Sequence, residues 1–305
     1  MRMNADQEPA WRQLAATVEE TLAEPLSDWF MDAGALSVSL DDAGDQPLFE
    51  PPPGTTPLWR LTRVTALFAA DIDEAPIAAA ARARFGGQIL AWDSTVLEDQ
   101  PWERAWMEHF QPMRFGRRLW ICPTGFEPPE PEAVNVILDP GLAFGTGTHP
   151  TTALCLDWLE SLDLPGRIVL DYGCGSGILA VAALKLGAAA AHGIDIDPQA
   201  LTASAENARK NGVAPGLTLG YPSDPSLPPA DVVVANILSG PLVALAADIL
   251  ARLKPGGRLA LSGLLTEQAD TVRAAYADAI DFDPVGQRED WAILTGVKRL
   301  SAPMG

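Results

Sequence analysis

Over the second half of the chain, short apolar runs alternate with longer stretches of helical periodicity. "RIVLD" (167–171), "AHGID" (191–195), "DVVVAN" (231–236) and "GRLALSG" (257–263) are brief, apolar and β-branched in places, and they predict strands. Between them the apolar positions return every three to four residues at 177–187, 198–211 and 240–253, with Gly187, Gly212 and Gly256 placed as terminators. Such alternation builds a parallel sheet covered by helices on both faces. "DWAILTGVKR" (290–299) predicts a last strand, antiparallel and at an edge.

The first part is patterned differently. "EPLSDWFMDAGALSVSL" predicts a helix with Pro25 at its first position and Gly34 at its end, then a strand from Ala35 to Leu40. "LWRLTRVTALF" (58–68) and "QILAWDSTVL" (88–97) read as strands, and "DEAPIAAAARARFG" (73–86) as a helix closed by Gly86. Residues from Trp11 to Val18 fit helix or strand. As a strand they complete βαββαβ, the ferredoxin-like order. "FEPPPG" (49–54) is a loop, and the Pro- and Glu-rich "CPTGFEPPEPEAVN" (122–135) separates two parts. The expected organisation is an α+β domain over 1–112, a linker over 113–135 and a doubly wound α/β domain over 136–305.

Chemistry concentrates in "VLDYGCGSGILAVAALKLGAAAAHGIDID" (169–197). Gly173, Gly175 and Gly177 fall where the first strand of the α/β part turns into its helix, the place where doubly wound sheets take ligands. Without Cβ atoms they allow positive φ and close approach of main chain to a ligand. The spacing is GxGxG, neither the GxGxxG of dinucleotide enzymes nor a phosphate-binding GxxxxGK[ST] loop. Asp195 ends the second strand, where a carboxylate can accept from both hydroxyls of a ribose; it can also be read as a helix cap, a role more natural for Asp197. A nucleoside is implied, and NAD and S-adenosylmethionine (SAM) both remain open on Asp195 alone. Asp171 favours SAM, because an acid there can attract an amino group and a sulfonium. Cys174 reads better as a small residue packed under the loop than as a nucleophile.

Composition narrows the partners. The 305-residue chain carries a net charge of −19, and residues 1–112 hold 19 acids against seven arginines, a net of −12. A surface this acidic repels nucleic acid, so no direct nucleic-acid contact is expected; it is either plain solvation or a lure for a basic partner. The best basic patch, "MRFGRR" (113–118), has only three arginines, which is weak for nucleic acid. Trp102, Trp106 and Phe110 recur at helical spacing and read as packing. Three scattered cysteines suit a reducing compartment and form no metal-ligand pattern. No membrane-spanning run and no signal-peptide core are evident, so a cytoplasmic, monomeric protein is expected.

"DPGLAFGTGTHPTT" (139–152), followed by "VLDYGCGSGILAVAALKLGA", "GIDIDPQAL" and "VVVANIL", resembles the PrmA family of bacterial methyltransferases that modify a large-subunit ribosomal protein. The likeness runs from about Asp139 to Arg299 and extends plausibly through "WERAWMEHFQPMRFGRRLWICP" (102–123). It implies a class I SAM-methyltransferase domain, Rossmann-like, behind a smaller ferredoxin-like domain that presents a basic ribosomal protein. By matched position it implies Thr152 at the methionine end of the cofactor, Gly173 and Gly175 in the loop contact, Asp195 on the ribose and Asn236 beside the methyl, as the catalytic residue. Phe144 would give apolar contact, and His149 reads as structural. Methyltransferases acting on planar amides or bases place N-[DP]-P-Y here, whereas this chain has "NILSGP", a wall better suited to a flexible amine; Asn236 as a helix cap is the plain alternative. Lysine side chains and an N-terminal amine are the implied targets, with no metal. Other readings are a methyltransferase for another protein or small amine, a non-catalytic SAM-binding regulator, and a nicotinamide dehydrogenase, the last disfavoured by the missing GxGxxG.

Overall fold

The structure, a computed structural model, describes residues 11–44, 46, 57–97, 111–138, 149–224 and 227–300. The "FEPPPG" loop, Trp102, Trp106 and Phe110, and the 139–148 stretch with Phe144 lie outside the described residues. The chain divides into two compact units, Met1–Trp106 and Met107–Gly305.

In the first unit the ambiguous opening stretch is a strand. The order is β1 (Trp11–Glu19), α1 (Glu20–Asp32), β2 (Ser37–Asp42), β3 (Leu61–Ala69), α2 (Glu74–Phe85) and β4 (Ala91–Leu97), with sheet order β2-β3-β1-β4 and every neighbour antiparallel. Period-two alternation decides the matter. Leu14, Ala16 and Val18 of β1 and Val64, Ala66 and Phe68 of β3 all face one buried layer against Ala23, Leu26 and Phe30 of α1. Helix α1 starts at Glu20, earlier than the Pro25 start that the sequence predicts, and carries Pro25 inside it. A proline there forfeits one backbone bond and crowds the carbonyl four residues back, and the buried Ala23, Leu26 and Phe30 hold both turns against the sheet in spite of it.

The second unit is built on an eight-stranded sheet. Its strands are β8 (Ile168–Tyr172), β9 (Ala190–Ile194), β10 (Leu217–Gly220), β11 (Ala230–Asn236), β12 (Leu253–Leu265), β13 (Ile280–Phe282), β14 (Gly286–Arg288) and β15 (Trp291–Lys298). The order is β10-β9-β8-β11-β12-β15-β13, parallel through β12, with β14 pairing β15 beside that path. Helices α3 (Pro150–Ser161), α4 (Ile178–Lys185), α5 (Pro198–Lys210), α6 (Ser239–Ala244), α7 (Ala246–Ala251) and α8 (Ala269–Tyr276) complete it. Alternate residues of β11 feed two cores. Val232 and Val234 pack with the α3 and α4 side, while Val233 and Ala235 pack with Leu242, Ile249 and Val272 on the other. A strand buried on both faces must be apolar throughout, as "VVVA" is.

Three expectations change. Residues 113–135 are no open linker: β5 (Met113–Phe115), β6 (Leu119–Pro123) and β7 (Val134–Leu138) form a three-stranded sheet whose Phe115, Leu119, Ile121 and Val136 enter the core of the second unit. The apolar pattern over 240–253 gives two short helices, because Leu245 leaves helical geometry at φ −98° and ψ 8°. The last strand is antiparallel as expected but interior, since β13 and β14 cover its outer side.

Candidate functional site

In the parallel part of the sheet, strand order reverses between β8 and β11, whose crossovers leave to opposite sides. A crevice opens at the carboxyl ends of such strands, and ligands bind there. Of the residues singled out in the sequence, Thr152, Asp171, Gly173, Gly175, Asp195 and Asn236 lie at this edge.

Asp171 and Tyr172 end β8, and Gly173, Gly175 and Gly177 follow with φ of 78°, 52° and 74°. These left-handed values cost an L-residue strain and cost glycine none. At Gly173 crowding adds to the requirement: a Cβ would lie 2.3 Å from Cγ2 of Ile237, the residue after Asn236. Gly263 gives Ile237 the same close fit from β12, where a Cβ would meet its carbonyl oxygen at 2.3 Å. Ile237 is thus seated between two missing side chains, and that seating sets where the neighbouring Asn236 stands.

The loop is tied to the end of β9. Gly173 and Cys174 donate from their backbone N–H groups to the Ile194 carbonyl at 2.8 and 3.0 Å. Asp195 accepts from the Gly175 N–H at 2.9 Å on one oxygen and from the Asp197 N–H at 3.0 Å on the other. A carboxylate has about four acceptor positions, so each oxygen keeps one for a ligand hydroxyl. Capping of α5 falls to Asp197, which accepts from the Gln199 N–H at 2.8 Å.

Asp171 is almost fully buried at 1% exposure. Its Oδ2 accepts from the Ala180 N–H at 3.1 Å, and its Oδ1 is buried without a partner. Burial lifts its pKa from 3.8 to about 7; the Ala180 bond opposes the rise and the nearby Asp195 adds to it. An orphaned carboxylate oxygen is costly, on the order of 1–3 kcal/mol. A cationic amino group would satisfy it, and so the donor set fits a cofactor that carries one. Burial first of all, and the charge of Asp171 next, push the Cys174 thiol up to about 12, which removes it as a nucleophile.

Asn236 ends β11 with its Nδ2 donating to Thr152 Oγ1 at 3.2 Å, across 84 residues of sequence. That bond turns Oδ1 away from α3 as an acceptor. Helix α6 begins at Ser239 with no side-chain cap, so Asn236 caps nothing. Thr152 is fully buried in the first turn of α3, where it orients Asn236; the cap there is His149, whose Nδ1 accepts from the Thr151 N–H at 3.3 Å. His149 also meets the Trp291 ring edge-on at 4.7 Å, and burial lowers its pKa.

Other residues surround this edge without a signal that single-residue reading would find. Tyr172 donates to Asp248 at 2.7 Å, and Asp248 pairs with Arg252 at 3.1 Å. Arg252 in turn donates to the Pro222 carbonyl in the loop after β10. Ser204 and Asn207 of α5 hold the carbonyls of Gly175 and Ser176 at 3.0 and 2.9 Å. Among the described residues no group of three or more His, Cys, Asp or Glu side chains is arranged to hold a metal ion.

Residues 10–299 match the sequence model of the ribosomal protein L11 methyltransferase (PrmA) family. A ribosomal protein L11 methyltransferase from Methylococcus capsulatus is 57% identical over 291 residues, which is 95% of this chain and 99% of that protein. One from Pseudomonas aeruginosa is 55% identical over 290 residues with the same coverage. The crystal structure of ribosomal protein L11 methylase from Lactobacillus delbrueckii subsp. bulgaricus is 32% identical with a TM-score of 0.56, covering 62% of this chain and all of that one.

Proposed function

The chain belongs to the ribosomal protein L11 methyltransferase family, and on that premise we propose how its residues carry out SAM-dependent methylation of ribosomal protein L11. The protein is an enzyme of the class I SAM-methyltransferase fold, and its cofactor is S-adenosylmethionine. When bound, that cofactor supplies a methyl group already activated by a positive sulfur. What remains for the protein is placement, exclusion of water and control of one proton.

In this reading Asp195 holds the ribose through the acceptor positions left on its two oxygens, and Gly173 and Gly175 let main chain close on the nucleoside. Asp171 receives the amino group of the methionine end on its orphaned Oδ1. Thr152 serves chiefly by aiming Asn236. The Oδ1 of Asn236 accepts a hydrogen bond from the target nitrogen and so points its lone pair, and a fixed attack geometry is worth several orders of magnitude in rate. Only a neutral amine has that lone pair. A free lysine ionises at about 10.4, and a water-poor wall such as "ILSGP" favours the uncharged form. The observation that carries this reading is the Thr152–Asn236 bond at the very edge where the glycine loop and Asp195 converge.

The first unit, with 18 acids against seven arginines over residues 1–106, attracts the basic ribosomal protein. Direct nucleic-acid binding is not part of the reading. Two arginines of the 113–118 patch are engaged, Arg114 with Glu130 at 3.4 Å and Arg118 with Glu160 at 3.2 Å. No helix among the described residues is long and apolar enough to cross a membrane. A monomer working beside the ribosome in the cytoplasm is the corresponding expectation. Purified ribosomal protein L11, incubated with enzyme and isotopically labelled SAM, should gain methyl groups on lysines and its N-terminal amine by mass spectrometry. Asn236→Ala should lower kcat about a hundredfold with donor affinity little changed. Methylation that persists at the wild-type rate in that variant would refute the assigned role.

A further inference from the structure

Helix α5 lies behind the glycine loop and itself carries none of the residues assigned above to the donor or the amine. Its buried face is unusually polar: Ser204 and Asn207 share one stripe with Ala200 and Ala208, and the half-buried Asn211 continues it just past the helix end. Ser204 is fully buried and Asn207 is 8% exposed. A helix face that only packs on a core is expected to be apolar, so two buried polar residues there call for partners.

The partners are backbone groups of the site. Ser204 Oγ donates to the Gly175 carbonyl at 3.0 Å and stands 3.4 Å from Cys174 Sγ. Asn207 Nδ2 donates to the Ser176 carbonyl at 2.9 Å. Farther along, Asn211 pairs with Ile137 of β7 on both backbone groups, each at 2.7 Å. Strand β7 ends at Leu138, where the 139–148 stretch begins. Gly177 owes its missing side chain to the same helix, since a Cβ there would lie 2.6 Å from Ser204 Oγ.

These bonds close a circuit through Asp195. The Gly175 N–H donates to Asp195 Oδ2, and the Gly175 carbonyl is held by Ser204. At the start of α5, Asp197 caps the helix while its own N–H donates to Asp195 Oδ1. Both peptide planes beside Gly175 are therefore fixed, one by the carboxylate and one by the helix. With glycine's freedom at φ 52°, a released carbonyl would let Gly175 turn and withdraw its N–H from Asp195.

We infer that Ser204 and Asn207 are positioning residues for the methyl donor: α5 sets the glycine loop, and the loop sets the Asp195 carboxylate. Asn211 ties the far end of the same face to the strand that leads into the 139–148 stretch. The inference rests on the reading of Asp195 as the ribose ligand and extends that site to a helix that need not touch the donor. Losing one bond to the loop should weaken donor binding and leave the placement of the amine intact.

The test is calorimetric titration of Ser204→Ala and Asn207→Ala with SAM and with S-adenosylhomocysteine. Asn135→Ala is the control, because Asn135 Nδ2 donates to the carbonyls of Glu130, Pro131 and Ala133 and its Oδ1 meets Cys122 Sγ, none of them in the glycine loop. Each loop variant should raise Kd about tenfold, with kcat at saturating donor and KM for ribosomal protein L11 within about twofold of wild type. The control should be unchanged in all three. Kd values within twofold of wild type in both folded loop variants would overturn the inference. Wild-type protein that fails to bind SAM would instead overturn the reading of the site. Should a variant not fold, hydrogen exchange on the wild-type protein decides the matter. Addition of SAM should slow the amides of 173–177 and of α5 together, and slowing confined to the loop would count against α5.

Discussion

The two larger sheets of this protein spend their polar groups in opposite ways. In the first unit, side-chain ion pairs sit at the surface: Arg12 with Glu74 at 2.7 Å and Arg63 with Asp93 at 2.8 Å, on partners that are 25–55% exposed. Such pairs contribute little, roughly 0–1 kcal/mol each, and they are screened by salt. In the second unit, buried side chains bind backbone at the carboxyl edge of the sheet, as Asp171, Ser204 and Asn207 do. Buried polar groups of that kind are expensive to leave unmade, so they hold main chain in place. One sheet is a tolerant platform with a charged exterior, and the other is a fixed frame around a ligand.

A pair of glycines breaks the comparison most sharply. Gly173 and Gly34 both have positive φ, 78° and 96°, but a Cβ at Gly34 meets nothing within 4 Å whereas one at Gly173 meets the branched side chain of Ile237. Gly173→Ala should lower donor affinity at least a hundredfold, because strain and overlap must be relieved by moving the loop or Asn236. Gly34→Ala should cost about 1–2 kcal/mol of stability and leave donor affinity alone. Thermal melts and SAM titrations of the two variants read both effects.

A smaller effect tests the orphaned carboxyl. Burial raises the Asp171 pKa to about 7. Its stabilising contribution is therefore complete below about pH 4 and is lost as pH rises through 7. Binding a cationic amino group favours the ionised form, so SAM affinity should rise up to about tenfold from pH 5.5 to 7, with proton release on binding. Asp171→Asn should flatten that slope. A slope that survives the substitution would assign it to another group.

The smallest effect belongs to the first unit. Association with ribosomal protein L11 should weaken severalfold between 50 and 300 mM salt (roughly one halving of the screening length), while SAM affinity stays constant. Salt-independent association would leave the acidic exterior as plain solvation.

How much of this the sequence disclosed follows the same division. The parallel strands and the glycine turn were legible because "VVVA" and "GCGSG" are local signals, set by burial on two faces and by positive φ. Asp195 was legible from its place at the end of an apolar run. The Thr152–Asn236 bond was not, since it joins residues that only the closed sheet brings together. Nor were Ser204 and Asn207, which look like ordinary polar positions of a solvated helix until their burial is known. Residues 113–135 misled because a Pro- and Glu-rich turn outweighs two strands of three and five residues. Pro25 misled because tertiary packing carries α1 back to Glu20, ahead of that local start signal.

The most direct measurement is a SAM titration of Asp195→Ala beside wild type, with circular dichroism to establish that both are folded. Loss of both ribose acceptors and of the Gly175 bond should weaken the donor a hundredfold or more. A folded variant that binds SAM as wild type does would contradict the account at its centre.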